Sequence, residues 1–355
     1  MNIKWSLKDA IARVIDSIVP ILQIVFAAAA GYSFSRWVLG HEVPLLSVTV
    51  TITALGFTRD ARPRRVLETA LGMITGIALS ESMLVGFGPG IPQMAITLLL
   101  CLFLARFISG SASFALTVGI QAMLVQLLQA PVGGVYTRSI DGIVGGAIAL
   151  LVTALIPRDP SGIARKDAGK LFEVFIDSLE ALKTATRDVN IKVADETLKQ
   201  VRRTQPLIDN WRLSLDSAIS ISRVSPFLIK YRDELRGQVR LMRGMDLATR
   251  NLRVVARRID FLLRDGLKRP HLADLFEQLQ AGTNLLQKGL SDPEALGDAQ
   301  EVFLEVIHQL DPKKFGIADQ IREASVVLLL RPMLVDLLCA SGMSEEDARE
   351  ELPEI

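Results

Sequence analysis

The residues whose types and spacing could do chemistry are arginines and carboxylates at the ends of long apolar runs. Arg36, Glu81, Arg138 and Asp141 fall toward one end of those runs; Arg65, Glu68 and Arg106 fall toward the other. Ionisable groups at membrane depth are costly and usually face a bundle interior or a wet cavity. Between the charged ends stand neutral polar groups only, Gln23, Thr51, Thr75 and Gln121. The pattern describes two charged mouths around a mildly polar constriction. A guanidinium matches a carboxylate in two parallel hydrogen bonds, so these arginines would hold an organic anion. Glu81 or Asp141 would take up a proton if burial favoured its neutral form. The plainer alternative is that Arg–Asp and Arg–Glu pairs neutralise one another at helix ends, while Arg36 and Arg106 snorkel to headgroups. On the anion reading, Arg36→Gln and Arg138→Gln fold normally and transport poorly.

Other chemistries have little to stand on. His41, His271 and His308 are scattered and lack ligand spacing, so no metal site is expected. Gly86-x-Gly88-x-Gly90 does not open a strand–helix unit and is no dinucleotide motif. No nucleophile or phosphate loop stands out, so neither catalysis nor a cofactor is expected. Net charge is +1, which gives no bulk support for nucleic acid as a partner. Cys101 lies in an apolar run and Cys339 in the charged half, which argues against a disulfide framework.

The elements that must position the charges are helices. Half of the 355 residues are hydrophobic, and mean hydropathy is +0.34. Apolar runs crowd the part before Pro157, and nearly all charge follows it. Residues 1–17 read as an amphipathic helix with Trp5 as interfacial anchor. Asp9 and Asp16 spoil a signal peptide's basic region. Residues 18–157 hold six apolar runs, near Ile18–Leu39, Val43–Thr58, Val66–Phe87, Ile91–Phe107, Ala112–Gln129 and Ser139–Ile156. Crossing the hydrocarbon core takes about 20 helical residues, so the second and fourth should stand steep or thin the bilayer. Basic residues cluster at the N-terminus, at Arg59 to Arg65, at Arg106 and after Pro157, which places both termini in the cytoplasm if six runs cross.

Two stretches echo each other. Arg65 to Gly76, RVLETALGMITG, resembles Arg138 to Ala149, RSIDGIVGGAIA, and Arg36-Trp37-Val38-Leu39-Gly40 resembles Arg106-Phe107-Ile108-Ser109-Gly110. Two copies of three spans run in opposite senses, the inverted 3+3 repeat of many transporters. Ala27 and Gly31, Gly72 and Gly76, and Gly142 and Gly146 have the small-xxx-small spacing of close helix packing.

Residues 158–165 read as a linker, and 166–351 as a cytoplasmic antiparallel helical bundle. Ala168, Phe172, Phe175, Leu179, Leu182, Thr186 and Val189 alternate by four and three. Leu198 to Ser222 continues that period with a kink at Pro206, and Leu228 to Leu263 forms a third, long seam. Val326–Ala340, interrupted by Arg331, Pro332 and Asp336, reads as the buried closing helix. Arg236, Arg240, Arg243, Arg250 and Arg257 form a stripe, expected to pair with acidic neighbours among Asp274, Glu277, Glu294, Asp298, Glu301 and Glu305.

The basic loop into RRVLETALGMITG and the last span RSIDGIVGGAIALLVTALIP resemble the fusaric-acid-resistance-like (FUSC), or aromatic acid exporter, family over roughly residues 10–160. The plant aluminium-activated malate transporters are similar in plan, with six spans and then a helical cytoplasmic domain. The resemblance implies movement of organic, often aromatic, carboxylates across the plasma membrane. Family members often carry two membrane halves, so one half implies a homodimer. The reading is an all-α, proton-coupled exporter of small organic anions in the inner membrane, with lipid and anion as its partners. A passive organic-anion channel gated by the cytoplasmic domain and a membrane-anchored scaffold remain as alternatives.

Overall fold

The computed structural model describes residues 7–56, 63–128, 134–155, 160–224 and 232–355. Trp5, the basic residues Arg59 and Arg62, Pro157, Arg158, Asp159, Leu228 and Tyr231 lie outside the described residues. The described residues are helical and without strands. They form two compact units, Met1–Arg158 with Ile219–Lys230, and Asp159–Ala218 with Tyr231–Ile355.

The first unit contains α1 (Leu7–Ser33) ending in a π-helical turn (Phe34–Val38), α2 (Leu45–Leu55), α3 (Pro63–Phe87), α4 (Ile91–Ile108), α5 (Ala112–Leu127) and α6 (Thr137–Leu155). As far as it is described, the expected amphipathic segment is continuous with the first span, because α1 runs unbroken from Leu7 through Pro20. Ser17–Val38, Pro63–Phe87, Ile91–Ile108 and Thr137–Leu155 are long and apolar enough to cross a bilayer, whereas α2 and α5 are shorter apolar helices. Large apolar side chains face outward, with Trp37 at 80% and Phe107 at 90% exposure. Such an exterior suits lipid, which leaves helices to satisfy their own backbone groups.

Packing follows small residues. α2 lies on α1 and α6, α3 on α5 and α6, and α4 on α3 and α5. A Cβ built on Gly72 would stand 2.1 Å from the Phe114 ring, and one on Gly145 2.4 Å from the Ser47 carbonyl. Gly76 meets Val118, Gly31 meets Ser47, Gly142 meets Ile77 and Gly146 meets Ala70 at 2.8–3.1 Å on the same construction, and Ala27 is fully buried. Dispersion between close backbones stabilises such helices where lipid supplies no hydrophobic drive.

The second unit holds α7 (Pro160–Asp188), α8 (Ile191–Arg202), α9 (Gln205–Val224), α10 (Arg232–Leu262), α11 (Pro270–Lys288), α12 (Ala295–Ile307), α13 (Ile321–Ser341) and α14 (Glu345–Glu350); the boundary between units runs through α9. The expected linker 158–165 is helical from Pro160. The chain does not kink at Pro206: α8 ends at Arg202, and Pro206 stands in the first turn of α9, where a missing N–H costs nothing. The four-and-three seams are buried, from Ala168 to Thr186 on α7 and from Leu235 to Ile259 on α10. α10 packs along α13, α7 along α11, and the indole of Trp211 tilts against Phe172 at 6.2 Å. By length and composition Ile321–Ser341 is also apolar enough to cross a membrane; here most of it is buried against protein.

Candidate functional site

Charged groups of the first unit gather where α6 begins. Glu81, near the end of α3, is buried and accepts from the backbone N–H groups of Arg138 and Ser139 at 3.1 and 3.0 Å and from the Ser139 hydroxyl. These N–H groups are the unpaired donors of the first turn of α6, where the helix dipole favours negative charge. Arg138 is 7% exposed. Its Nη1 donates to the Val125 carbonyl at 2.8 Å and its Nη2 to the Leu128 carbonyl at 2.9 Å, at the C-terminal end of α5. Arg138, expected to face a wet mouth, is instead buried with both terminal guanidinium nitrogens donating to backbone carbonyls. Glu81 and Arg138 fasten the ends of α3, α5 and α6 together.

One turn further along α6, Asp141 is 2% exposed and lies 2.7 Å from Nδ1 of His41. His41 follows the π-helical turn, and its backbone N–H donates to the Ser35 carbonyl at 3.1 Å. Arg36 is exposed and donates from Nη1 to the carbonyls of Glu42, at 2.8 Å, and His41, at 3.4 Å. It holds the loop that carries the imidazole. The partner of Asp141 is thus a histidine and not an arginine.

Thr51 and Gln121 lie buried between the helices. The Thr51 hydroxyl donates to the Ser47 carbonyl at 2.7 Å and the Gly145 carbonyl at 3.0 Å. Gln121 accepts from Thr49 at 3.1 Å, and its amide nitrogen meets Met73 Sδ at 3.8 Å. Gln23 is buried as well, whereas Thr75 stands on an exposed face and bonds its own helix at Leu71. The hydroxyls of Ser35 and Ser47, both fully buried, have no hydrogen-bond partner among the described residues. A hydroxyl so placed would bind a water or an anion's oxygen.

At the other ends the arrangement is looser. Arg106 is exposed and donates to the Gly110 carbonyl at 2.6 Å. Glu68 takes Arg64 at 2.7 Å, one turn back, and not Arg65. In the second unit two of the five arginines of the α10 stripe are paired within their own helix. Arg236 meets Asp233 and Arg250 meets Asp246, each at 2.9 Å, while Arg240 donates to the Gly342 carbonyl. Asp274 and Glu277 are taken by Arg187 instead. Among the described residues no group of three His, Cys, Asp or Glu could hold a metal ion.

His41 is the member of this cluster that sequence reasoning missed. Its spacing to other histidines was uninformative, and its partner lies a hundred positions away. The available signal was that a single histidine followed an apolar run carrying Arg36.

The chain is 26% identical over 360 residues to an uncharacterized protein of Corynebacterium glutamicum, covering 97% of this chain and 90% of that protein. Residues 26–152 match the family described as fusaric acid resistance protein-like, from the second half of α1 to near the end of α6. The resemblance read from the sequence is thus borne out over residues 26–152, which are similar to the fusaric acid resistance protein-like family.

Proposed function

We propose that the chain exports small organic anions, with aromatic carboxylates as the expected class, across the plasma (inner) membrane in a proton-coupled manner. The observation that carries this reading is the division inside the first unit. Ionisable residues Arg36, Glu81, Arg138 and Asp141 stand at one end and Arg106 and Glu68 at the other, with the buried neutral groups Thr51 and Gln121 between. In this reading Arg36 and Asp141 face the outer mouth, Glu81 and Arg138 hold its frame, and Arg106 and Glu68 attend the inner mouth. The packing supports an inverted repeat. Exchanging α1 with α4, α2 with α5 and α3 with α6 carries the α1–α2 contact onto α4–α5, α2–α6 onto α3–α5, and α1–α6 onto α3–α4. Gly72 against α5 and Gly145 against α2 are then matching close approaches.

Six crossings, cytoplasmic termini and a homodimer of parallel protomers complete the proposal. Flux in liposomes, with and without a pH gradient, tests it. Gradient-driven accumulation of an aromatic carboxylate is expected; downhill current alone indicates the channel, and no flux the scaffold. Topology is checked on one helix, after Cys101 and Cys339 are replaced by Ser. Gly86→Cys should be labelled from outside intact cells and Arg64→Cys should not. Mass in mild detergent should be twice the chain mass of 38.9 kDa.

A further inference from the structure

We propose that His41 and Asp141 form the proton-binding site through which pH controls anion passage, an inference that rests on the organic-anion reading above. Two carboxylates are buried at this end of the first unit, and their surroundings separate them. Glu81 is committed to two backbone N–H groups and a hydroxyl at the start of α6, so protonating it would loosen the helix junction. Asp141 has a titratable partner 2.7 Å away, and the imidazole keeps an exposed edge, its side chain being 12% exposed against 4% for the aspartate. One group can therefore exchange protons with the exterior while the other remains sheltered.

The charge bookkeeping is simple. With Nδ1–H donated to Asp141 Oδ1, the neutral imidazole and the carboxylate carry −1 together. A proton added at Nε2 gives an imidazolium–carboxylate pair of net charge zero, and losing it restores −1. A pair at −1 repels an approaching carboxylate; a pair at zero does not. The other charged groups near the pair have fixed duties. On α6, Arg138 is turned to carbonyls; on α3, Glu81 caps α6. After the π-helical turn, Arg36 holds the carbonyls of His41 and Glu42 and thereby positions the imidazole, and Glu42 is the remaining carboxylate of that loop. α2 brings no ionisable group but presents Ser47 and Thr51, and the near end of α1 brings Tyr32. Ser47 stands between Gly31 of α1 and Gly145, one turn beyond Asp141. Its hydroxyl and that of Ser35, buried without a partner among the described residues, offer a polar foothold to a water or an anion's oxygen. A π-turn in a helix often marks such a site.

The test uses full-length protein in liposomes, at equal pH on both sides, with labelled benzoate and 4-sulfobenzoate as probes. The sulfonate stays ionised and keeps the second probe from crossing lipid unaided. Parent flux should rise about tenfold between pH 8 and pH 5, the effect of removing one nearby charge. Asp141→Asn, which cannot reach −1, should give flux at pH 8 as high as the parent's at pH 5; His41→Gln should hold flux low throughout. A pH profile in Asp141→Asn equal to the parent's overturns the proposal. A second measurement does not depend on transport or on the aspartate variant folding. The 15N-histidine NMR signal that vanishes in His41→Gln should change protonation state between pH 5 and 8; one unchanged state across that range also overturns it. Parent protein that moves neither probe sinks the exporter reading, and the NMR signal then decides the proton site by itself.

Discussion

Arg138 in the first unit and Arg269 in the second are 7% and 3% exposed, yet their guanidinium groups meet different partners. Arg138 donates to the carbonyls of Val125 and Leu128. Arg269 donates to both oxygens of Asp265 and lies 3.2 Å from Glu323. Leaving a buried charge without partners is costly in either place. Helices built to face lipid carry few charged neighbours, so the charge is satisfied by backbone groups left over at helix ends. Amphipathic helices with a polar face can supply carboxylates from side chains. The difference teaches where each unit is vulnerable: the first at its helix junctions, the second in its side-chain network.

The largest expected effects break these two arginines. Arg138→Gln should cost about 3–5 kcal/mol, the usual result of removing one member of a buried charged cluster. It would be read as loss of monodisperse protein and a lower melting temperature in detergent. A variant that melts like the parent would show that the carbonyls of α5 do not hold the junction. Arg269→Met should cost a similar amount, about 3–5 kcal/mol, because buried Glu323 then keeps only His271, at 2.8 Å, beside it and loses its permanent cation. Adding Glu323→Gln should recover much of it.

Acid sharpens the same contrast. The hydrogen bond from Arg269 holds the Asp265 carboxyl below its usual range. A carboxylate whose folded-state pKa is depressed stabilises the fold above its unfolded value, and that stability is lost as pH falls through the folded value. Denaturant melts should therefore show the parent losing stability below about pH 4, with a shallower loss in Arg269→Met. An equal slope in both proteins would mean that Asp265 is not the carboxylate that feels acid.

Smaller effects follow from packing and from the surface. Gly145→Ala places a Cβ against the Ser47 carbonyl and should cost about 1–3 kcal/mol by overpacking. Gly237→Ala, on α10 with open space around it, should be neutral or slightly stabilising in thermal melts. Smallest of all, the pair of Arg64 and Glu68 is exposed on both sides, 88% and 56%, and deleting either partner should cost about 0.3–0.5 kcal/mol or less. A loss of several kcal/mol there would mean that this end of α3 is covered by something that the pair touches.

Helix placement was legible because its causes are local. The apolar runs begin and end near the observed bounds of α3, α4 and α6, and Pro and Gly mark their edges. The seam of α7 was legible from period alone from Ala168 to Thr186, all buried, whereas its last expected position, Val189, lies past the helix end and is half-buried. Boundaries set by a neighbour were not legible. The break between α8 and α9 at Pro206 reads equally well as a kink, since the heptad passes through it unchanged. The continuity of α1 through Pro20 was hidden for the same reason.

The candidate site was half legible. Composition marked Arg36, Glu81, Arg138 and Asp141 as charges in an apolar setting, because burying any of them needs a compensating group. It could not say which group compensates which. Pairing by sequence distance joined Arg138 to Asp141 and Arg65 to Glu68, whereas the fold gives Asp141 to His41, Glu68 to Arg64, and Arg138 to carbonyls of α5. By itself the sequence determined that this chain would form apolar helices with charges at their ends, followed by amphipathic helices with heptad seams, since hydropathy and period are properties of neighbouring residues. Only the tertiary structure decided that an imidazole after the π-turn meets a carboxylate on α6, because a contact across a hundred residues depends on how α1, α2 and α6 pack, through Gly31, Ser47 and Gly145.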